Sequence, residues 1–247
     1  MKKRKRQHTK GYTPSREKLD DLRNIKQLQP DDIFHLKCVC CSDCCRHVAR
    51  SVLLEPYDLF RIAKDLKRKG HAIRGIEDVL MEYAEIQTLG DVEYPVFMLK
   101  TGGPKDTCVF LKAGRCSIHE VKPRACRLYP LCAWPNDAMN GFDYFLVSQR
   151  PRHANDPAVR AGDWMDANFI ESDREIVLLD AQSAKELAPI LRKLKRAGMD
   201  WNRVLQPLIL FKYVCYDLNE PFIPQYMRNM DRLKRALLGF AGAPKGS

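Results

Sequence analysis

Apolar residues along this chain change their spacing several times, and each change marks an element. Helical spacing comes first. Leu19, Leu22, Ile25 or Lys26, and Leu28 recur at helical spacing after a start at Thr13 and Pro14, and Pro30 ends the run. "EPYDLFRIAKDLKRKG" predicts a second helix, with Pro56 in its first turn, Leu59, Ile62, Ala63 and Leu66 as the buried stripe, and Gly70 as the stop. "IEDVLMEYAEIQT" predicts a third.

The period then shortens towards two. "DVEYPVFMLK" reads as a strand that Pro95 confines to an edge or a bulge. "TCVFLKAGRCSIH" reads as a hairpin turning at "KAGR", where Gly114 can take positive φ. "EVKPRACRLYP" predicts a short turn or helix, and "FDYFLVSQ" another strand. From about residue 163 the spacing is helical again. Ser172 and Ser183 each precede a glutamate by three positions, the spacing of a capping box. Leu187, Ile190, Leu191 and Leu194 share a face that stops at Gly198, and two further helices are predicted over 201–217 and 224–238.

One stretch has neither period. "CVCCSDCC", Cys38–Cys45, places five thiols in eight residues. The expected fold class is therefore α+β: an irregular, metal-organised, cysteine-rich core with a short hairpin and packed helices, followed by a helical C-terminal part. The expected division is a disordered basic tail over 1–12, a cysteine-cluster metal-binding domain over 13–150, and a helical region over 151–247 packed on it.

Charge and composition narrow the chemistry. At 247 residues the chain can bury an ordinary core without covalent staples. "MKKRKR" is followed by no apolar run, and "RVLQPLILFKYVCYDL" is broken by Gln206, Pro207, Lys212 and Asp217. Neither a secretory leader nor a membrane span is expected, and the expected address is the cytoplasm. Thiols there are kept reduced, so ten cysteines favour metal binding or catalysis over structural disulfides. The first ten residues hold six Lys/Arg and no acid, more than half of the net charge of +11. Such a tail is either solvated or a tether for nucleic acid or an acidic protein.

Cys38, Cys41 and Cys44 follow C-x2-C-x2-C, and Cys45 completes CxxCxxCC. A two-residue spacer lets a tight turn aim two thiolates at one metal, and three thiols so spaced also match the start of bacterial ferredoxin runs. Cys44 and Cys45 are adjacent, and neighbouring side chains diverge, which suggests two metals, a bridged cluster or a spare thiol. Cys108, Cys116 and Cys126, on the hairpin and just beyond it, are placed to act as remote ligands. Cys132 is balanced between ligand and packing roles, Cys40 reads as a spacer, and Cys215 as a small buried apolar residue. All-sulfur coordination suits zinc or an iron–sulfur cluster and argues against magnesium or calcium. His47 and His119 read as solvated.

CxxCxxCC, then "LLEPYDLFRIA", then "CVFLKAGRCSIHEVKPRACRLYP" resembles a bacterial cysteine-cluster family described as zinc- or iron-chelating, which includes the flagellin lysine N-methylases. The resemblance spans about residues 34–150. It implies Cys38, Cys41, Cys44, Cys45, Cys108, Cys116 and Cys126 as metal ligands, with Cys132 as a candidate for one further thiol. It also singles out Asp58, Arg61 and Arg127 as polar positions that serve the cofactor. Taken as residues alone, Asp58 and Arg61 are an i,i+3 surface ion pair, and Arg127 either offsets thiolate charge or is a plain surface arginine. This chain departs from the family pattern at "RPR", Arg150–Arg152, where members carry another cysteine, and at His119, where they carry an aromatic residue.

Three functions are compatible with these residues. One is an enzyme that uses a [4Fe–4S] cluster and S-adenosylmethionine to methylate lysines of a protein substrate. No G-x-G-x-x-G turn and no CxxxCxxC triad accompanies it in the sequence. Another is a zinc-stabilised binding module whose basic tail recruits nucleic acid or an acidic protein. The third is a redox or metal sensor built on a surplus thiol.

Overall fold

The structure, a computed structural model, describes residues 25–147 and 153–242. Two short strands come first, β1 (Lys26–Leu28) and β2 (Ile33–His35), followed by the cysteine loop and β3 (Leu53–Leu54). Helix α1 (Pro56–Arg68) starts as its sequence predicts. Pro56 occupies the first turn, and Glu55 and Asp58 form a reciprocal capping box. Its stripe of Leu59, Ile62, Ala63 and Leu66 is buried. Helix α2 (Ile76–Tyr83) leads into β4 (Ala84–Leu89) and β5 (Tyr94–Leu99), and β5 lies between β3 and β4 in an antiparallel sheet.

The next elements are small. β6 (Thr101–Gly102) pairs with β7 (Thr107–Cys108), and β8 (Leu111–Lys112) with β9 (Arg115–Cys116). The β8–β9 turn places both Ala113 and Gly114 at positive φ, 47° and 76°, the two-residue turn whose twist suits a hairpin. A Cβ at 114 would meet no neighbour but would sit in the left-handed region. Gly114→Ala is therefore expected to cost about 1 kcal/mol, read as a lowered urea midpoint with unchanged slope. A short helix α3 (Arg124–Leu128) follows the hairpin. Strands β10 (Leu131–Pro135) and β11 (Phe142–Leu146) pair with each other, and β1 lines the far edge of β11. After the undescribed residues 148–152, β12 (Ala158–Arg160) pairs back with β2.

The rest is helical: α4 (Ala161–Asn168), α5 (Glu171–Arg196), α6 (Trp201–Ile209) with a π-helical turn over Leu210–Val214, and α7 (Phe222–Gly242). One apolar core joins Leu59, Ile62 and Phe97 to Leu191, Leu208 and Leu233, so the C-terminal helices pack directly on α1 and β5. A smaller core of Leu28, Phe34, Leu131, Met165 and Phe169 lies beneath β1, β2 and α4. The α+β class with a helical C-terminal part is therefore the observed one.

Several local expectations are corrected. Lys26–Leu28, the end of the first predicted helix, is a strand, because β11 offers it a pairing partner; residues 13–24 lie outside the described residues. The third helix ends at Tyr83, and Ala84–Leu89 turns to strand by pairing with all six residues of β5. Pro95 lies in a central strand, yet β3 reaches only Met98 and Phe97, so β3 does not pair where the proline stands, and the Pro95 carbonyl accepts from the Tyr213 hydroxyl (3.1 Å). The serines at 172 and 183 start no helix. Both lie inside α5, whose first turn carries Glu171 and Asp173 against the helix dipole.

Candidate metal centre

Local backbone geometry brings the cysteine loop together. Cys40 and Ser42 have positive φ, 53° and 63°, as do His47 and Arg50, at 57° and 55°. Such residues cost of order 1 kcal/mol each and persist where surrounding contacts hold them. Here the Ser42 hydroxyl donates to the Cys41 carbonyl (2.6 Å) and accepts from Arg46 (2.7 Å). Asp43–Cys45 forms a single 3-10 turn. The backbone N–H groups of His47 and Val48 then donate to the carbonyls of Lys105 and Asp106, at 2.7 and 3.2 Å. These bonds fasten the loop beside β7, which ends at Cys108.

A cavity of about 440 Å³ opens where these segments meet, and eight of the ten cysteines line it: Cys38, Cys40, Cys41, Cys44, Cys45, Cys108, Cys116 and Cys126. Cys132 and Cys215 are not among its walls. Cys132 sits on β10 opposite Phe145, and burial pushes its thiol up to about 11. Cys215 follows the π-helical turn rather than lying within a helix, and its carbonyl accepts from Asn229 (2.6 Å).

Five of the cavity thiols act on one another electrostatically. The Cys45 thiol donates to Cys44 and, with help from Lys122, draws Cys44 down to about 6 against the cost of burial. Cys45 itself is pushed well up by that bond, by burial and by Cys108 and Cys116. Burial raises Cys108 and Cys116, with Cys44 adding to both. Burial also raises Cys126, with Cys108, Cys44 and Cys116 adding to it. Cys44 thus ionises readily amid four thiols that burial and their neighbours' charge hold back, a concave set that a cation would relieve.

The donors present fit that cation. The Phe110 N–H donates to the Cys108 sulfur at 3.4 Å, and backbone N–H groups of Leu111 and Ile118 lower Cys108 and Cys116 in the same way. Backbone N–H to sulfur bonds favour the thiolate, the form that binds metal. Cys108, Cys116 and Cys126, with Cys44 or Cys45, thus have the chemistry to hold zinc or an iron–sulfur cluster.

Buried ion pairs position the helix that carries Cys126. Arg124 grips Glu55 through two bonds, 2.7 and 2.6 Å, and its backbone N–H donates to Asp58 (2.9 Å). Asp58 also accepts from Arg61 (3.1 Å), so the predicted surface pair is a buried one. Burial raises the Asp58 carboxyl to about 6, and Glu55 adds to that while Arg61 and Arg124 oppose it. Arg127 lines the cavity, but its guanidinium pairs with the buried Asp173 of α5. Lys122 lowers both Cys44 and Cys116, and Lys69 adds to the effect on Cys116.

Sequence reasoning did not find Lys122, Asp43 or His153. Among the described residues, Cys41, Asp43 and His153 gather their ligand atoms within 4.8 Å of one another. A lone lysine and a lone histidine carry no spacing signal, and His153 is more than a hundred positions from the loop it meets.

The fold and this cavity are those of a cysteine-rich, metal-binding protein. Residues 37–145 match the CxxCxxCC family model, described as a "putative zinc- or iron-chelating domain". Comparison with curated proteins and with solved structures finds no match to either. Among the described residues, no helix is long and apolar enough to cross a membrane.

Proposed function

We propose that the chain holds a [4Fe–4S] cluster through Cys44, Cys108, Cys116 and Cys126, with Cys45 as a hydrogen-bond donor to Cys44. The observation that carries this reading is the convergence of eight cysteines on one cavity of about 440 Å³. A single tetrahedral zinc, with Zn–S near 2.3 Å, draws its sulfurs to about 3.8 Å from one another and needs far less room. A cube of iron and sulfide spaces four thiolates more widely, as a broad cavity requires. In this scheme the cysteine-cluster segment over 13–150 and the helices over 151–247 form one working unit. Asp58, Arg61 and Arg127 serve the cluster indirectly, by holding α1, α3 and α5 in register.

Four cysteine ligands leave no iron open. The centre therefore suits an electron-transfer, redox-sensing or structural role, and not methyl transfer from S-adenosylmethionine to a protein lysine, which needs an exchangeable iron site. Labelled S-adenosylmethionine with the loaded protein and cell lysate is expected to mark no protein. The cluster itself is tested by anaerobic reconstitution with iron and sulfide. A visible absorption that bleaches on reduction supports it, and colourless protein that retains zinc overturns it.

We further propose that the basic tail tethers an acidic partner, nucleic acid being the simplest. Deleting residues 2–6 is expected to reduce the slope of log affinity against log salt for a polyanion by several units, as the lost charges release fewer counterions. An unchanged slope would remove the tether.

A further inference from the structure

The group at Cys41 differs from the deeper thiols in chemistry and in supports. His153 is buried, 6% exposed, and its Nε2 lies 3.8 Å from the Cys41 sulfur. Its other nitrogen, Nδ1, is 2.6 Å from an oxygen of Asp156. That carboxylate oxygen is fixed in turn by the backbone N–H of Lys37 at 2.7 Å, where the chain leaves β2. A carboxylate on Nδ1 sets the tautomer, so the proton lies there and the Nε2 lone pair faces Cys41. The left-handed turn at Ser42 brings Asp43 round to the same imidazole, and all three ligand atoms fall within 4.8 Å of one another.

We propose that Cys41, Asp43 and His153 form a mononuclear zinc site, with Asp156 as the carboxylate that orients the histidine, on one wall of the thiol-lined cavity and distinct from the centre held by Cys44, Cys108, Cys116 and Cys126. Tetrahedral zinc, with Zn–S near 2.3 Å and Zn–N near 2.0–2.1 Å, places sulfur and nitrogen about 3.6 Å apart. The observed separation needs only a small closure. A thiolate, an imidazole and a carboxylate select zinc over magnesium or calcium, and three protein ligands leave the fourth position to water or a small ligand. A cysteine–histidine–aspartate nucleophile is the competing arrangement for the same atoms. Asp43 distinguishes the two, because such a nucleophile has no use for a second carboxylate within 4.8 Å of its sulfur and imidazole, whereas zinc takes it as a third ligand.

This site does not depend on which metal fills the cavity, and the test separates the two. Zinc, iron and sulfide per chain are measured for the full protein and for His153→Ala and Asp43→Asn. The loaded protein is also titrated with Co²⁺ as a spectroscopic probe of thiolate and imidazole ligation. Both variants are expected to lose one zinc per chain and the cobalt–thiolate band, while iron and sulfide stay unchanged. Asp156→Asn is expected to weaken zinc by about 10–100-fold, without removing the site. Iron lost together with zinc would make His153 part of the same centre as Cys44, Cys108, Cys116 and Cys126 and overturn the proposal. Zinc unchanged in both variants would overturn it as well. So would a zinc-free protein in which Cys41 is the thiol that iodoacetamide modifies first.

Discussion

Cys126→Ser is expected to strip the cavity of its metal and to loosen the fold around it. Cys126 stands on a five-residue helix, too short to hold its own shape. Its thiol responds to Cys108, Cys44 and Cys116 together, so it faces the middle of the ligand set. Serine keeps the size but offers a much poorer ligand to soft metals. Binding free energy at such a centre is folding free energy, on the order of 10 kcal/mol for structural zinc. The variant should therefore lose bound metal and also unfold at markedly lower urea. Cys132→Ser and Cys215→Ser are the controls, because neither residue lines the cavity. Both should keep full metal content and nearly unchanged midpoints. Metal loss in Cys132→Ser equal to that in Cys126→Ser would return Cys132 to the ligand set and remove the distinction drawn here.

Arg127→Ala is expected to destabilise the protein by about 3–5 kcal/mol. Its guanidinium and the Asp173 carboxylate are paired with side chains only 10% and 2% exposed. Removing the arginine leaves a buried carboxylate whose pKa burial already raises, and α3 loses its tie to α5. A buried pair can be replaced as a whole at far lower cost than it can be halved. Arg127→Met with Asp173→Leu should thus recover much of the loss, and urea unfolding of the three variants checks it. If Arg127 chiefly offset thiolate charge, the double variant would remain as metal-poor as the single one. Full metal retention in the double variant is the outcome expected of a positioning residue.

Much of the fold was legible because its signals are local. The proline start and apolar stripe of α1, the Ala113–Gly114 turn and the Gly198 stop each follow from a few neighbouring residues. The errors fall where a distant partner decides. Ala84–Leu89 has helical spacing, but six pairings with β5 make it a strand, and Lys26–Leu28 becomes a strand only because β11 lies beside it. The site divides in the same way. Cysteine spacing in CxxCxxCC pointed to metal without any structure, since thiols so dense have few other uses in a chain of this size. His153 reaches Cys41 only through the pairing of β12 with β2, and nothing near residue 153 in the sequence announces that.

The central claim is that the cavity lined by eight cysteines holds an iron–sulfur cluster. Iron, zinc and acid-labile sulfide per chain, measured on protein purified without oxygen, test it most directly. The account predicts about four iron and four sulfide per chain, together with one zinc. Zinc in the cavity with no sulfide would contradict it.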